Sequence, residues 1–115
     1  MNKPNNIPVT SREAFRILDE MIPSDERVAM ALLPRSDFSA DEHMRLGLWI
    51  RNNWIHGDSA GMSEQQKERR DKCLRMLTGE KDNDVFLFVN PDIASSRFLE
   101  RYHDHLRRIY KIHFD

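Results

Sequence analysis

Two short stretches of this 115-residue chain carry polar side chains that a plain helix surface does not need. The first is Trp49-Ile50-Arg51-Asn52-Asn53-Trp54. Arg51 brings a planar fork of donors, and each asparagine brings donors and an acceptor. Asparagine is also a poor interior helix residue, because its amide competes for backbone groups. Tryptophan and arginine are the types that dominate protein-binding hot spots. The second stretch is Asn90-Pro91-Asp92-Ile93-Ala94-Ser95. Asp92 and Ser95 stand where a carboxylate and a hydroxyl can satisfy free N–H groups at a helix start. An ion pair from Asp92 to Arg51 would join the two stretches. One reading is architectural: these groups fix a loop and cap a helix. The other is a polar binding surface made by Trp49, Arg51, Asn52, Asn53, Trp54, Asp92, Ser95 and His103.

Other chemistry has less support. Glu100 and His103 have helical ligand spacing, but no second copy completes a metal site. Cys73 lies among Leu74, Met76 and Leu77, the surroundings of an inert buried thiol. Ser95 and Ser96 are about two helical turns from His103, roughly 11 Å, too far for proton transfer. No nucleophile elbow, phosphate loop or dinucleotide fingerprint occurs. The expectation is therefore no catalytic residue, no metal and no cofactor. On the last helix Arg97, Arg101, Arg107, Arg108 and Lys111 alternate with Glu100 and Asp104. Mixed signs there read as a solvated face, with Asp104 and Arg108 as an i,i+4 pair. This argues against nucleic acid as the partner.

The run Leu46-Gly47-Leu48-Trp49-Ile50-Arg51-Asn52-Asn53-Trp54 resembles the L-G-x-W-I-R-N-N-W signature of a family of small bacterial domains of unknown function. That family's later P-D-x-x-S element is matched by Pro91, Asp92 and Ser95. Its Y-H dipeptide before a leucine is matched by Tyr102, His103 and Leu106. The resemblance covers about Met44 to Leu106. It departs from the pattern in the loop Ile55-His56-Gly57-Asp58-Ser59-Ala60-Gly61, where the family has a Leu-Trp-Gly-Gly-Ser-like turn. The resemblance implies a compact helical domain without an established activity. Orphan domains of this kind are often bacterial immunity or antitoxin proteins, an analogy only.

Helices must position these groups. Thr10 and Glu13 form a capping-box pattern before an amphipathic face of Ala14, Phe15, Leu18, Met21 and Ile22, which Pro23 ends. Ser24 is an expected N-cap for a second, nearly all-apolar helix that Pro34 stops. Arg35 to Phe38 reads as a connector. Ser39 and Glu42 then suggest a third helix from about Ala40 to about Ile55. Gly47 inside it implies the close approach of a neighbour. Ser63 and Gln66 cap a charged fourth helix, closed by Gly79. Val85 to Val89 reads as an extended or short helical segment. The last helix runs from Pro91 or Ser95 to about Ile109. The expected fold is all-α, a compact bundle of about five short helices over residues 10–115, behind a flexible lead-in of residues 1–9.

Composition bounds the function. Lys plus Arg number 18 and Asp plus Glu 19, for a net charge of −1. The charged fraction is 32%, above the roughly 25% of a typical domain. Phe, Ile, Leu and Val supply 28 residues, too many for a disordered chain. No apolar run reaches membrane length, and the N-terminus lacks a signal-peptide pattern. A lone cysteine fits a reducing, cytoplasmic setting. The leading expectation is a non-enzymatic protein-binding module, most concretely a cytosolic immunity protein that neutralises a toxin domain. Asp19, Glu20, Asp25, Glu26, Asp37, Asp41 and Glu42 are candidate contacts to a basic toxin. The alternatives are a small-ligand binder or enzyme around Arg51, Asn52 and Asp92, and a nucleic-acid-associated protein using Arg101, Arg107, Arg108 and Lys111.

Overall fold

The structure is a computed structural model that describes residues 7–55, 63–78 and 91–111. Six α-helices account for it: α1 (Ser11–Met21), α2 (Ser24–Leu32), α3 (Arg35–His43), α4 (Leu46–Ile50), α5 (Glu64–Thr78) and α6 (Pro91–Ile109). A π turn, Arg51–Ile55, continues α4. No strand occurs among the described residues. The expected segment at Val85–Val89, the loop at His56–Gly61 and the Gly79 cap lie outside them.

α6 is the axis of the bundle. It packs against α2, α3, α4, α5 and the π turn. Its buried face is Ala94, Ser95, Phe98, Leu99, Tyr102, His103 and Leu106, the three-to-four spacing of one helical stripe. Around it the core gathers Ala14 and Leu18 of α1, Met30 and Ala31 of α2, Phe38 of α3, Ile50 of α4, and Cys73 and Leu77 of α5. Cys73 is fully buried, and burial pushes its thiol up to about 12. A thiolate-selective reagent should therefore leave the folded protein unlabelled at neutral pH and label it promptly in denaturant. Labelling of the native state at the rate of a free thiol would contradict this burial.

Local signals explain several boundaries. Thr10 Oγ1 accepts from the Glu13 N–H at 3.1 Å, as the capping pattern predicts. The Glu13 carboxylate, however, accepts from Val9 rather than Thr10. At Ser63 and Gln66 the box is reciprocal, at 3.2 and 2.9 Å. Pro23 and Pro34, both extended, serve as the caps before α2 and α3, so Ser24 is the first residue of α2 rather than its cap.

Two expectations about helix extent are corrected. Arg35 to Phe38 is the first turn of α3, not a connector. A helix that starts there carries Phe38 into the core, where its ring stacks on His103 at 4.2 Å. That contact joins positions far apart in sequence and outweighs the Ser39 capping pattern. Second, no single helix runs from residue 40 to 55. α3 ends at His43, the chain turns at Met44 and Arg45, and α4 restarts. The described residues thus hold six α-helices, in keeping with an all-α bundle of about five short helices. In the segment before α1, Ile7 is docked on the bundle: it is buried, and its carbonyl accepts from Arg69 Nε at 2.7 Å.

Candidate functional site

Arg51 opens the π turn and is buried, 6% exposed. Its guanidinium reaches three groups on two other helices, α3 and α6. Nη1 donates to Ser95 Oγ on α6 at 2.9 Å. Nη2 donates to the His43 carbonyl, at the end of α3, at 3.2 Å. Nε stands 3.3 Å from Asp92 Oδ1, making the ion pair that chemistry suggested. The Ser95 hydroxyl in turn donates to the Asp92 carbonyl at 3.1 Å. The groups satisfy one another, so the cluster is a closed clamp between α3, the π turn and α6.

Gly47 makes room for it. A Cβ at Gly47 would lie 3.1 Å from Arg51 Nη1, 3.3 Å from the Glu42 carbonyl oxygen and 3.4 Å from Leu99 Cδ1. The expected close approach is real: the Arg51 guanidinium and the α3 backbone at Glu42 come nearest, with Leu99 of α6 beyond them. Asn53 donates to the Trp49 carbonyl at 2.8 Å, inside the turn. Trp54 is buried, edge-on to Phe98 and to Trp49. Asn52 is exposed and Trp49 half-buried. A π turn widens the backbone by one residue, often at functional positions. Here it aims Arg51 inward while Asn52 faces solvent.

His103 does not join this cluster. Its Nδ1 accepts from Arg35 Nε at 3.0 Å. Arginine can only donate, so Nε2 carries the proton and donates to the Met30 carbonyl at 3.1 Å. Burial, and then Arg107 and Arg35 nearby, lower its pKa below the ordinary 6.5. The unfolded chain therefore takes up this proton more readily than the folded one. His103 favours folding fully above pH 6.5, and its contribution is lost as the pH falls below that value. NMR titration should show the His103 ring still neutral at a pH where an ordinary histidine is half protonated. A His103 midpoint at or above 6.5 would refute the assignment.

Of the acidic contact candidates, Glu20, Asp25, Glu26, Asp37 and Asp41 are exposed. Glu42 is buried, and burial raises its pKa while Arg45 and the Leu46 N–H pull it down. Asp19 is committed internally. It accepts from Tyr102 Oη at 2.8 Å and pairs with His105 Nε2 at 2.9 Å. Arg27 Nη1 stands 3.9 Å away. Neither Glu42 nor Asp19 is a freely presented surface carboxylate.

Of the basic residues assigned to a nucleic-acid face, Arg101 and Arg107 turn inward, while Arg108 and Lys111 are exposed. Arg107 donates to the carbonyls of Leu33 (2.9 Å) and Ala31 (3.4 Å) at the end of α2. Arg101 donates to Met76 and Leu77 at the end of α5, and to Ser11 Oγ on α1. Arg27 does the same for Ile22 after α1, at 3.0 Å. With Arg51 on His43, four helix C-termini each receive an arginine from another element. Those carbonyls have no intrahelical partner, and the helix dipole favours a cation there. Asp104 pairs with Arg35 across the bundle, not with Arg108 as expected.

Sequence reasoning missed this internal use of arginine, because a capping arginine and a solvated one look alike in a mixed-charge helix. It also missed the Tyr102–Asp19–His105 set, whose members lie on different helices. His105 in addition stacks on Phe15 at 4.4 Å. Among the described residues no group of His, Cys, Asp and Glu could hold a metal ion. No described helix is long and apolar enough to cross a membrane.

Fold and site together define a small all-helical domain whose helix ends are tied by arginines. The chain belongs to the family described as Domain of unknown function (DUF6794), whose model matches residues 7–74. The match includes the Leu46–Trp54 run and ends before Pro91, so α6 lies outside it. No curated protein and no solved structure matches the chain.

Proposed function

We propose that this protein is a non-enzymatic protein-binding module of the bacterial cytoplasm, most concretely an immunity protein that binds and neutralises a toxin domain. The observation that carries this reading is a surface cleft of about 260 Å³ between α1, α2 and α4. Met21, Ile22, Met30, Leu46 and Trp49 give it an apolar floor. Glu26, Glu42 and Arg45 form its polar side. The cleft therefore brings Trp49 of the sequence motif beside two of the acidic candidates.

Its chemistry fits a partner segment with one apolar side chain flanked by basic ones. Met21 is 42% exposed at the rim and has surface to bury. Arg45 bridges Glu26 at 3.1 Å, but both side chains are solvated, so a partner cation can displace that bridge at little cost. Glu20, Asp25, Asp37 and Asp41 add exposed negative charge that speeds association with a basic partner. Arg51 is spent on Ser95, the His43 carbonyl and Asp92, which supports an architectural role for it rather than a ligand-binding one.

The test is affinity capture from the source cell with the wild-type chain and with Met21→Glu. One stoichiometric protein retained by the wild type and lost by the variant supports the reading. Relief of that partner's toxicity on co-expression supports the immunity role. Equal recovery with both chains rejects the cleft, and recovery of only a small molecule or RNA rejects the class.

A further inference from the structure

The chain has thirteen arginines, all within the described residues. Ten of them hold a partner. Arg27, Arg35, Arg45, Arg51, Arg69, Arg101 and Arg107 are bonded as the hydrogen bonds and ion pairs show. Arg70, Arg75 and Arg97 are engaged too. The other three, Arg12, Arg16 and Arg108, make no hydrogen bond or ion pair with a described residue. All three line one cavity of about 450 Å³ between α1 and α6, with Phe15, Asp19 and His105.

We propose that this cleft binds a small phosphorylated ligand through its phosphoryl oxygens. Arg12 and Arg16 are four residues apart, so they share one face of α1. Arg108 faces them from α6. The carboxylate that could have neutralised Arg108, Asp104 one turn earlier, is held by Arg35 instead. Arg12 lies in the first turn of α1, where a cation opposes the helix dipole. A residue that breaks a local rule without a structural return marks a functional position. Planar guanidinium forks match the geometry of phosphate oxygens and bind them in pairs.

The floor of the cleft is already ordered. Asp19, its carboxylate, is held by Tyr102 and His105 and lies near Arg27. His105 is fixed by that bond and by its stack on Phe15, leaving Nδ1 as its remaining polar atom. A volume of about 450 Å³ is in the range of small-molecule sites, roughly 300–1,000 Å³. The charge is also local. Arg101 and Arg107 are turned into the bundle, and the chain as a whole is at −1, which fits a compact anion better than a nucleic-acid strand. The site lies apart from the α1, α2 and α4 cleft and does not depend on it.

Calorimetry and NMR shift mapping with pyrophosphate and with inorganic phosphate test the proposal on the full chain. Saturable binding that shifts resonances of Arg12, Phe15, Arg16, His105 and Arg108 is expected. Arg12→Gln, Arg16→Gln and Arg108→Gln should each weaken it about tenfold, the loss of one charge-assisted contact. Lys72→Gln on α5 should leave it unchanged. The three arginines are exposed and bond nothing described, so the variants should keep the wild-type melting temperature. No saturable binding at millimolar pyrophosphate overturns the proposal. So does undiminished binding by the triple variant. A short single-stranded oligonucleotide binding more tightly than pyrophosphate overturns the assignment to a small ligand.

Discussion

A chain ending at Thr78 is expected to be unfolded, although it contains the whole of the matched family segment. The reason is the place of α6. Five of the seventeen buried apolar residues among those described belong to it: Ala94, Phe98, Leu99, Tyr102 and Leu106. Burying a large apolar side chain contributes about 1.5–3 kcal/mol, so the four large ones contribute about 6–12 kcal/mol. A domain of this size is stable by only about 5–15 kcal/mol. Truncation also removes Arg101 and Arg107, and with them the caps on α5 and α2. Circular dichroism of the truncated chain should show most helical signal lost and no cooperative melt. Adding a peptide spanning residues 91–111 should restore part of both. A cooperative transition near the full-length midpoint would show that α6 is an accessory.

Arg51→Ala is expected to be the most damaging single polar substitution. The side chain fills a space between Gly47, Ser95 and the α3 end, so its loss leaves a cavity. It also leaves the His43 carbonyl without its donor. Unsatisfied buried groups cost about 1–3 kcal/mol each, and lost packing adds to that, for a total of about 2–4 kcal/mol. The melting temperature should fall by roughly 10–20 °C. Arg51→Lys should recover only part of this, because an ammonium cannot reach three acceptors in a fork. Asp92→Ala should cost under about 1 kcal/mol, since the Asp92 side chain is 68% exposed and its bond to Arg51 is screened. Urea unfolding of the three variants measures the order. Equal losses for Arg51→Ala and Asp92→Ala would mean that the ion pair, not the buried fork, carries the energy.

These outcomes bear on what the sequence motif is for. Eight side chains were candidates for one binding surface, and the structure divides them. Arg51, Ser95 and Asp92 form the clamp, and Asn53 and Trp54 serve the π turn and the core. His103 belongs to Phe38, Arg35 and Met30. Trp49 reaches the cleft proposed for a protein partner. Asn52 alone is simply exposed. Asn52 and Asn53 stand in the π turn, where residues that are poor in a regular helix interior are tolerated.

The sequence by itself determined what local forces control. The all-helical class, the caps at Thr10 and Ser63, the stop at Pro34 and the tight packing at Gly47 all follow from side chains acting on neighbours a few residues away. The Arg51–Asp92 pair was legible as complementary chemistry. Only the tertiary structure decided where the remaining charges go. A guanidinium that caps a distant helix, an aspartate that receives a tyrosine and a histidine, and a start of α3 set by Phe38 on His103 depend on partners far away in the chain. No periodicity records such partners. Most of the charge is a solvated surface, as the sequence suggests, but Arg27, Arg51, Arg101 and Arg107 are turned to internal ties at helix ends. Arg12, Arg16 and Arg108 take no part in those ties, and the proposed ligand site is built on them.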